Sequence, residues 1–139
     1  MDFQSLYDDH ASILTKVKDL RALVQDGITD NAEAIATTLA SMSEEIRLHL
    51  NIEDANIYPA LLQHENAKVR DLAAKYQMDM GQLLVVYQGF ASKFTNAQQI
   101  AAAPEDFRKD ANMVFQALFE RIKAENQNLY PAAMEALKA

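Results

Sequence analysis

The chain has 139 residues, a formal net charge of −7 at pH 7 and no cysteine. That length supports one well-buried core, and the missing cysteines exclude disulfides, thiolate zinc sites and thiol nucleophiles. The acidic balance leaves no basic patch for phosphates, so nucleic acid is not an expected partner; no run approaches the roughly 20 apolar residues of a membrane span.

Half of the residues are apolar, and glycine and proline number three each. This profile predicts an all-α chain, since sheets need more turn residues and more β-branched runs. The opening "MDFQSLYDDHASIL" carries early acids and lacks the apolar stretch of a signal peptide, so a cytoplasmic location is expected.

Asp2 is placed to cap a first helix whose stripe runs Phe3, Leu6, His10, Ile13, Leu14, Val17, Leu20 and Val24. "QDGITDN" ends it, with Gly27 as the stop and Asp30 as the next cap. A second helix is predicted from about Asn31 to Asn56, through Ile35, Leu39, Met42, Ile46, His49 and Glu53, until Pro59 kinks or ends it. A third covers about Lys68 to Phe94. The polar loop "TNAQQIAAAP" follows, and a fourth helix starts near Pro104 and reaches Tyr130, where Pro131 breaks it. Helices of these lengths on short connections predict an up-down-up-down four-helix bundle, one domain over residues 1–139.

The bundle carries an internal repeat. "HLNIEDANIYP" at residues 49–59 returns seventy-two residues later as "RIKAENQNLYP" at residues 121–131. Glutamate, asparagine and the Tyr-Pro close recur, while His49 is answered by Arg121. Setting His10 over Met80 aligns "HASIL" with "MGQLL", so the two halves, about residues 1–66 and 67–139, are each a helix pair.

His49 and Glu53 are four residues apart and share one helix face, the face that Met42 and Ile46 make apolar. Arg121 and Glu125 repeat the relation beyond Phe107, Ala111, Val114 and Leu118, and His10 lies among Leu6, Ile13, Leu14 and Val17. Charged groups on inward faces need partners or a metal, and imidazole and carboxylate groups converging from several helices suit a transition metal. The bland readings are a core-edge histidine at His10 and a simple ion pair between Arg121 and Glu125. The matched placement of the two carboxylates favours metal.

These residues resemble the hemerythrin-like, or HHE cation-binding, family over essentially the whole chain. The resemblance implies a four-helix bundle holding a non-haem di-iron centre. Its pattern is a histidine on helix one, His-x-x-x-Glu on helix two, a histidine on helix three and His-x-x-x-Glu on helix four, with the glutamates bridging the irons. It also implies a role in oxygen or nitric-oxide binding, iron-linked stress or sensing. Four positions match: His10, His49, Glu53 and Glu125. The third-helix histidine stands as Met80 and the fourth-helix histidine as Arg121. Both are ligands of one iron in the family's arrangement, so a single half-site survives beside both carboxylates.

Two readings follow. Either His10, His49, Glu53 and Glu125 hold one iron or other divalent metal, with O2 or NO as the small ligand, or the chain is a metal-free regulatory or interaction module. In both, Arg121 is expected to replace the second metal by neutralising both carboxylates through its fork of donors, with Met80 filling the remaining space. Tyr7 and Tyr87 are candidates for a hydroxyl in the pocket. Enzymatic activity is the weakest reading, because no nucleophile–base pair appears. Phe90, Phe94, Phe115 and Phe119 are candidates for an outer face that pairs two copies, with core packing as the other explanation.

Overall fold

A computed structural model describes residues 2–138. The helices are α1 (Phe3–Asp26), α2 (Ala32–Asn56), α3 (Tyr58–Leu62), α4 (Ala67–Lys93), α5 (Ala97–Ala102), α6 (Pro104–Ala124) and α7 (Tyr130–Ala136), with a π-helical turn, Glu125–Leu129, between α6 and α7. No strand occurs among the described residues. The four long helices form the all-α bundle that the periodicity predicts. Helix α1 packs along α2 and α4 along α6, while α1 and α6 close one further side.

Local chemistry sets most of the ends. The Asp2 carboxylate accepts from Ser5 N at 3.3 Å and caps α1. Gly27, at φ 126°, closes that helix in a conformation L side chains rarely adopt. The cap of α2 is Asn31 rather than Asp30, and it works backwards: its amide donates to Gly27 O at 2.9 Å and ties the turn to the end of α1.

Two sequence expectations fail in the second half. The "TNAQQIAAAP" segment is not a plain loop, because Asn96 accepts from Gln99 N at 2.9 Å and starts α5, which buries Ile100. Pro131 does not break the fourth helix. The Tyr130 N–H bonds to Glu125 O, five residues back, and this wider turn accommodates a proline that cannot donate and whose ring crowds the preceding turn. The chain then continues as α7.

The apolar interior is in two parts. One runs from Ile13 to Val24 on α1 through Ile35 to Ile46 on α2, Tyr87 and Phe90 on α4, and Phe107 to Ile122 on α6. The other gathers Leu6, Ile57, Tyr58, Leu61, Ala73, Leu129, Tyr130 and Ala133. Phe90, Phe94 and Phe115 lie in the first part, so of the four phenylalanines considered for an outer face only Phe119 is exposed. Between the two parts lies a dividing layer: His10 from α1, His49 and Glu53 from α2, Met80 from α4, and Glu125 from the π turn that follows α6. All five are buried, and His10, His49, Glu53 and Glu125 are the buried polar residues among those described.

Candidate metal centre

The polar layer is built by helix phase. His10 follows Leu6 and precedes Ile13 on the inward stripe of α1, and His49 and Glu53 continue the stripe of Met42 and Ile46 on α2. Glu125 opens the π turn. In a regular helix, residues five apart lie about 140° round the axis from each other. The i→i+5 bond of the π turn brings Tyr130 back over Glu125, and their side chains meet at 3.5 Å. In the first half the same five-residue spacing, Glu53 to Tyr58, is spanned by the interruption at Ile57 between α2 and α3. The Glu-x4-Tyr-Pro repeat is thus a device for turning a tyrosine inward.

Four donor atoms converge. One ligand atom from each of His10, His49, Glu53 and Glu125 lies within 4.8 Å of every other. His10 Nε2 faces Glu125 Oε1 at 2.9 Å, and His49 Nε2 faces Glu53 Oε2 at 3.3 Å. The outward nitrogens are occupied: His10 Nδ1 donates to Asn126 Oδ1 at 2.6 Å, and His49 Nδ1 donates to Asp9 Oδ2 at 3.0 Å. Metal-binding imidazoles are oriented in this way, with one N–H held by a carboxylate or carbonyl and the other nitrogen free to ligate. Each Nε2···O pair needs either a proton or a cation between its members.

The Tyr130 hydroxyl sits amid these atoms. It lies 3.1 Å from His10 Nε2 and 3.0 Å from His49 Nε2, and donates to Glu53 Oε2 at 2.5 Å. Its ring stacks on His10 at 5.0 Å. The other oxygen of Glu53, Oε1, is buried and has no hydrogen-bond partner. An orphaned carboxylate oxygen at this depth is costly, and a cation is one group that would satisfy it.

Arg121 behaves differently from expectation. Its Nε donates to Glu125 Oε2 at 2.8 Å, but its second arm donates to the Tyr58 hydroxyl at 3.0 Å and reaches no oxygen of Glu53. It therefore neutralises one glutamate, not both. Tyr76 supports the guanidinium from below, 4.8 Å from ring centroid to Cζ. A cavity of about 30 Å³, lined by His10, His49, Met80, Arg121 and Glu125 among others, adjoins the cluster; it is roomy enough for one water-sized molecule. A groove of about 840 Å³ between α2 and α4 reaches the other side of Met80.

The electrostatics follow the contacts. Burial works against a charge on His49, but Glu53, Asp9 and Glu125 outweigh it and raise its pKa to about 9. Burial likewise opposes the Glu125 charge, and His10 and Arg121 overcome it, so the carboxyl lies below its ordinary range. Burial drives the Tyr130 phenol far up, reinforced by Glu125 and Glu53. The cluster without a cation is thus held by a proton on His49 and by the Tyr130 hydroxyl.

A sequence profile of the Hemerythrin HHE cation binding domain matches residues 1–133. The chain belongs to this hemerythrin family. No curated protein and no solved structure matches it. The four residues that the family resemblance implies as ligands, His10, His49, Glu53 and Glu125, are the ones the fold brings together, and Met80 and Arg121 line the cavity beside them. The pocket tyrosines differ from those read from sequence. Tyr7 packs edge-on against Tyr130 at 5.3 Å, and Tyr87 bonds Ser43 Oγ at 2.6 Å on the groove side. Sequence reasoning missed Tyr130, Tyr58, Asp9 and Asn126. The repeated Tyr-Pro was the available signal, since both tyrosines reach the layer.

Proposed function

We propose that this hemerythrin domain binds a single metal ion through His10, His49, Glu53 and Glu125, and serves to bind or sense a small ligand. The supporting observation is the aim of two imidazole Nε2 atoms and two carboxylate oxygens at one point, with both Nδ1 atoms already held by acceptors. Two nitrogens and two carboxylates suit iron or another transition ion. Such an ion would supply a Lewis-acidic position open to a molecule such as O2 or NO, and the cavity beside Met80 has the size for one. The place of a second ion is taken by Arg121, whose fixed positive charge meets Glu125.

The protein's own groups prepare the site. Asp9 and Asn126 fix the imidazole rings, Arg121, itself bonded to Tyr58, holds Glu125 in place from the far side, and Met80 gives the adjoining cavity an apolar wall. The test is metal binding by calorimetry with ferrous iron and zinc. His49→Ala and Glu53→Ala should each abolish tight binding while the chain remains helical. Equal binding by all three chains would place the metal elsewhere.

One observation favours a metal-free regulatory module as the second reading. The Tyr130 hydroxyl already links both histidines and Glu53 without a cation. A wild-type chain that takes up neither zinc nor iron, ferrous or ferric, would decide for that reading.

A further inference from the structure

The Tyr130 oxygen raises a question that the four family-matched residues do not answer. It is a phenol brought to the focus of the cluster, within 3.1 Å of both histidine Nε2 atoms and hydrogen-bonded to Glu53. The ring has little freedom to withdraw. It stacks on His10, is met edge-on by Phe3 at 6.0 Å and by Tyr7 at 5.3 Å, and is fully buried. Its backbone is fixed by the π turn bonded to Glu125 O. The other nearby phenols are engaged elsewhere: Tyr58 accepts from Arg121, and Tyr76 donates to Ala124 O at 3.4 Å. A cation drawn to the two Nε2 atoms and the two carboxylates therefore has the Tyr130 oxygen beside it.

We propose that Tyr130 is a fifth donor of the metal centre, and that its oxygen together with Glu53 and Glu125 selects a trivalent cation, ferric iron, over divalent ions. This rests on the metal-binding reading above. As a ligand the phenol gives up its proton, now shared with Glu53 Oε2, and His49 gives up the proton it holds in the cation-free cluster; both go to solvent. The donor set is then two neutral imidazoles and three anionic oxygen donors, one of which, Glu125, also meets the Arg121 charge through its other oxygen. Hard anionic oxygen donors suit hard, highly charged cations, whereas imidazole alone discriminates little among iron, zinc and copper. Tyrosinate ligation of iron has precedent in protein chemistry. Met80 adds no donor charge, so the preference for a hard ion rests on the three oxygen donors of Tyr130, Glu53 and Glu125.

The test loads the full chain with ferric citrate and, separately, with zinc. A ferric phenolate gives a visible charge-transfer band and resonance-enhanced tyrosinate modes in the Raman spectrum, and both should appear in the wild-type chain. Tyr130→Phe keeps the ring and should lose the band. It should also weaken ferric binding by at least the ~10–100-fold that removing a supporting group costs, with a smaller effect on zinc. Tyr58→Phe and Tyr7→Phe should keep the band. The Raman modes of the wild-type chain, shifted by ring-deuterated tyrosine, report ligation even if a variant folds poorly. Ferric iron bound without the band, or bound as tightly by Tyr130→Phe, overturns the proposal and leaves the metal reading intact. Zinc bound but no ferric iron does the same. A wild-type chain that holds neither ion overturns both.

Discussion

Tyr58 accepts a hydrogen bond from Arg121 at 3.0 Å, and its counterpart in the repeat, Tyr130, lies at the same 3.0 Å from His49 Nε2. Each half of the bundle sends its tyrosine across to the first residue of the other half's motif. Where that residue is histidine, the tyrosine enters the donor cluster. Where it is arginine, the tyrosine becomes a partner of the guanidinium. The exchange of one residue has thus given two equivalent positions different chemistry.

Removing Arg121 exposes how much it carries. Its side chain is 10% exposed and its pair with Glu125 is nearly buried. Arg121→Ala leaves Glu125 with one counter-charge fewer and Tyr58 without its donor. Loss of one partner of a buried pair costs on the order of 3–5 kcal/mol, so urea unfolding should show a fall of about that size. Arg121→Lys should recover only part, because a point charge cannot serve Glu125 and Tyr58 together. An unchanged midpoint for Arg121→Ala would show that the pair contributes nothing.

The pH dependence has a sign on each side. His49 has a folded pKa of about 9, above its ordinary 6.5. Its contribution to the cation-free fold is full below 6.5 and is lost as pH rises through about 9. Glu125, held below its ordinary 4.5, contributes stability above that pH and loses it as pH falls through the lowered value. Unfolding free energy without metal should therefore peak between these limits and decline on both sides. Metal competes with the His49 proton, so apparent affinity should rise with pH up to about 9. Affinity that is flat over that interval would contradict the assigned proton.

The acceptors behind the histidines offer a cleaner separation of fold from site. Asp9 is a third exposed and sits at the cluster's edge, bonded to His49 Nδ1. Asp9→Ala and Asn126→Ala should each weaken metal binding by ~10–100-fold while leaving the chain folded, at a cost in stability of about 1–3 kcal/mol for the imidazole N–H left unpaired. Undiminished affinity in both would show that ring orientation is set by packing alone.

The four long helices were legible because their apolar stripes run for many turns, and the four buried polar residues because they interrupt those stripes. Helix α5 was not, since its six residues turn on one Asn96 cap and the burial of Ile100. Pro131 reads as a breaker by every local rule, and only the five-residue bond from Tyr130 to Glu125 shows why the helix survives it. Tyr130 was missed for the same reason. In a regular helix it points away from Glu125, so periodicity hides the residue that the π turn brings inward. The sequence leads one to expect the fork of Arg121 on two glutamates, but the reach of Tyr58 from the first half takes one arm.

The second metal position can be rebuilt if its loss lies in Met80 and Arg121 together. The double variant Met80→His with Arg121→His places two imidazoles against the 30 Å³ cavity that both residues line, and nitrogen donors there suit a second transition ion. Uptake should rise to about two ions per chain, and neither single variant should reach it. A double variant that still takes up one ion would mean that the cavity, not the ligand set, limits the count.

A single-ion centre is checked by the number of metal ions per chain in protein purified from iron-supplemented and zinc-supplemented cultures, measured by elemental analysis against protein concentration. About one ion per chain is expected, reduced to background in His49→Ala. A content below about a tenth in every preparation, or about two ions in the wild-type chain, would contradict the single-ion centre.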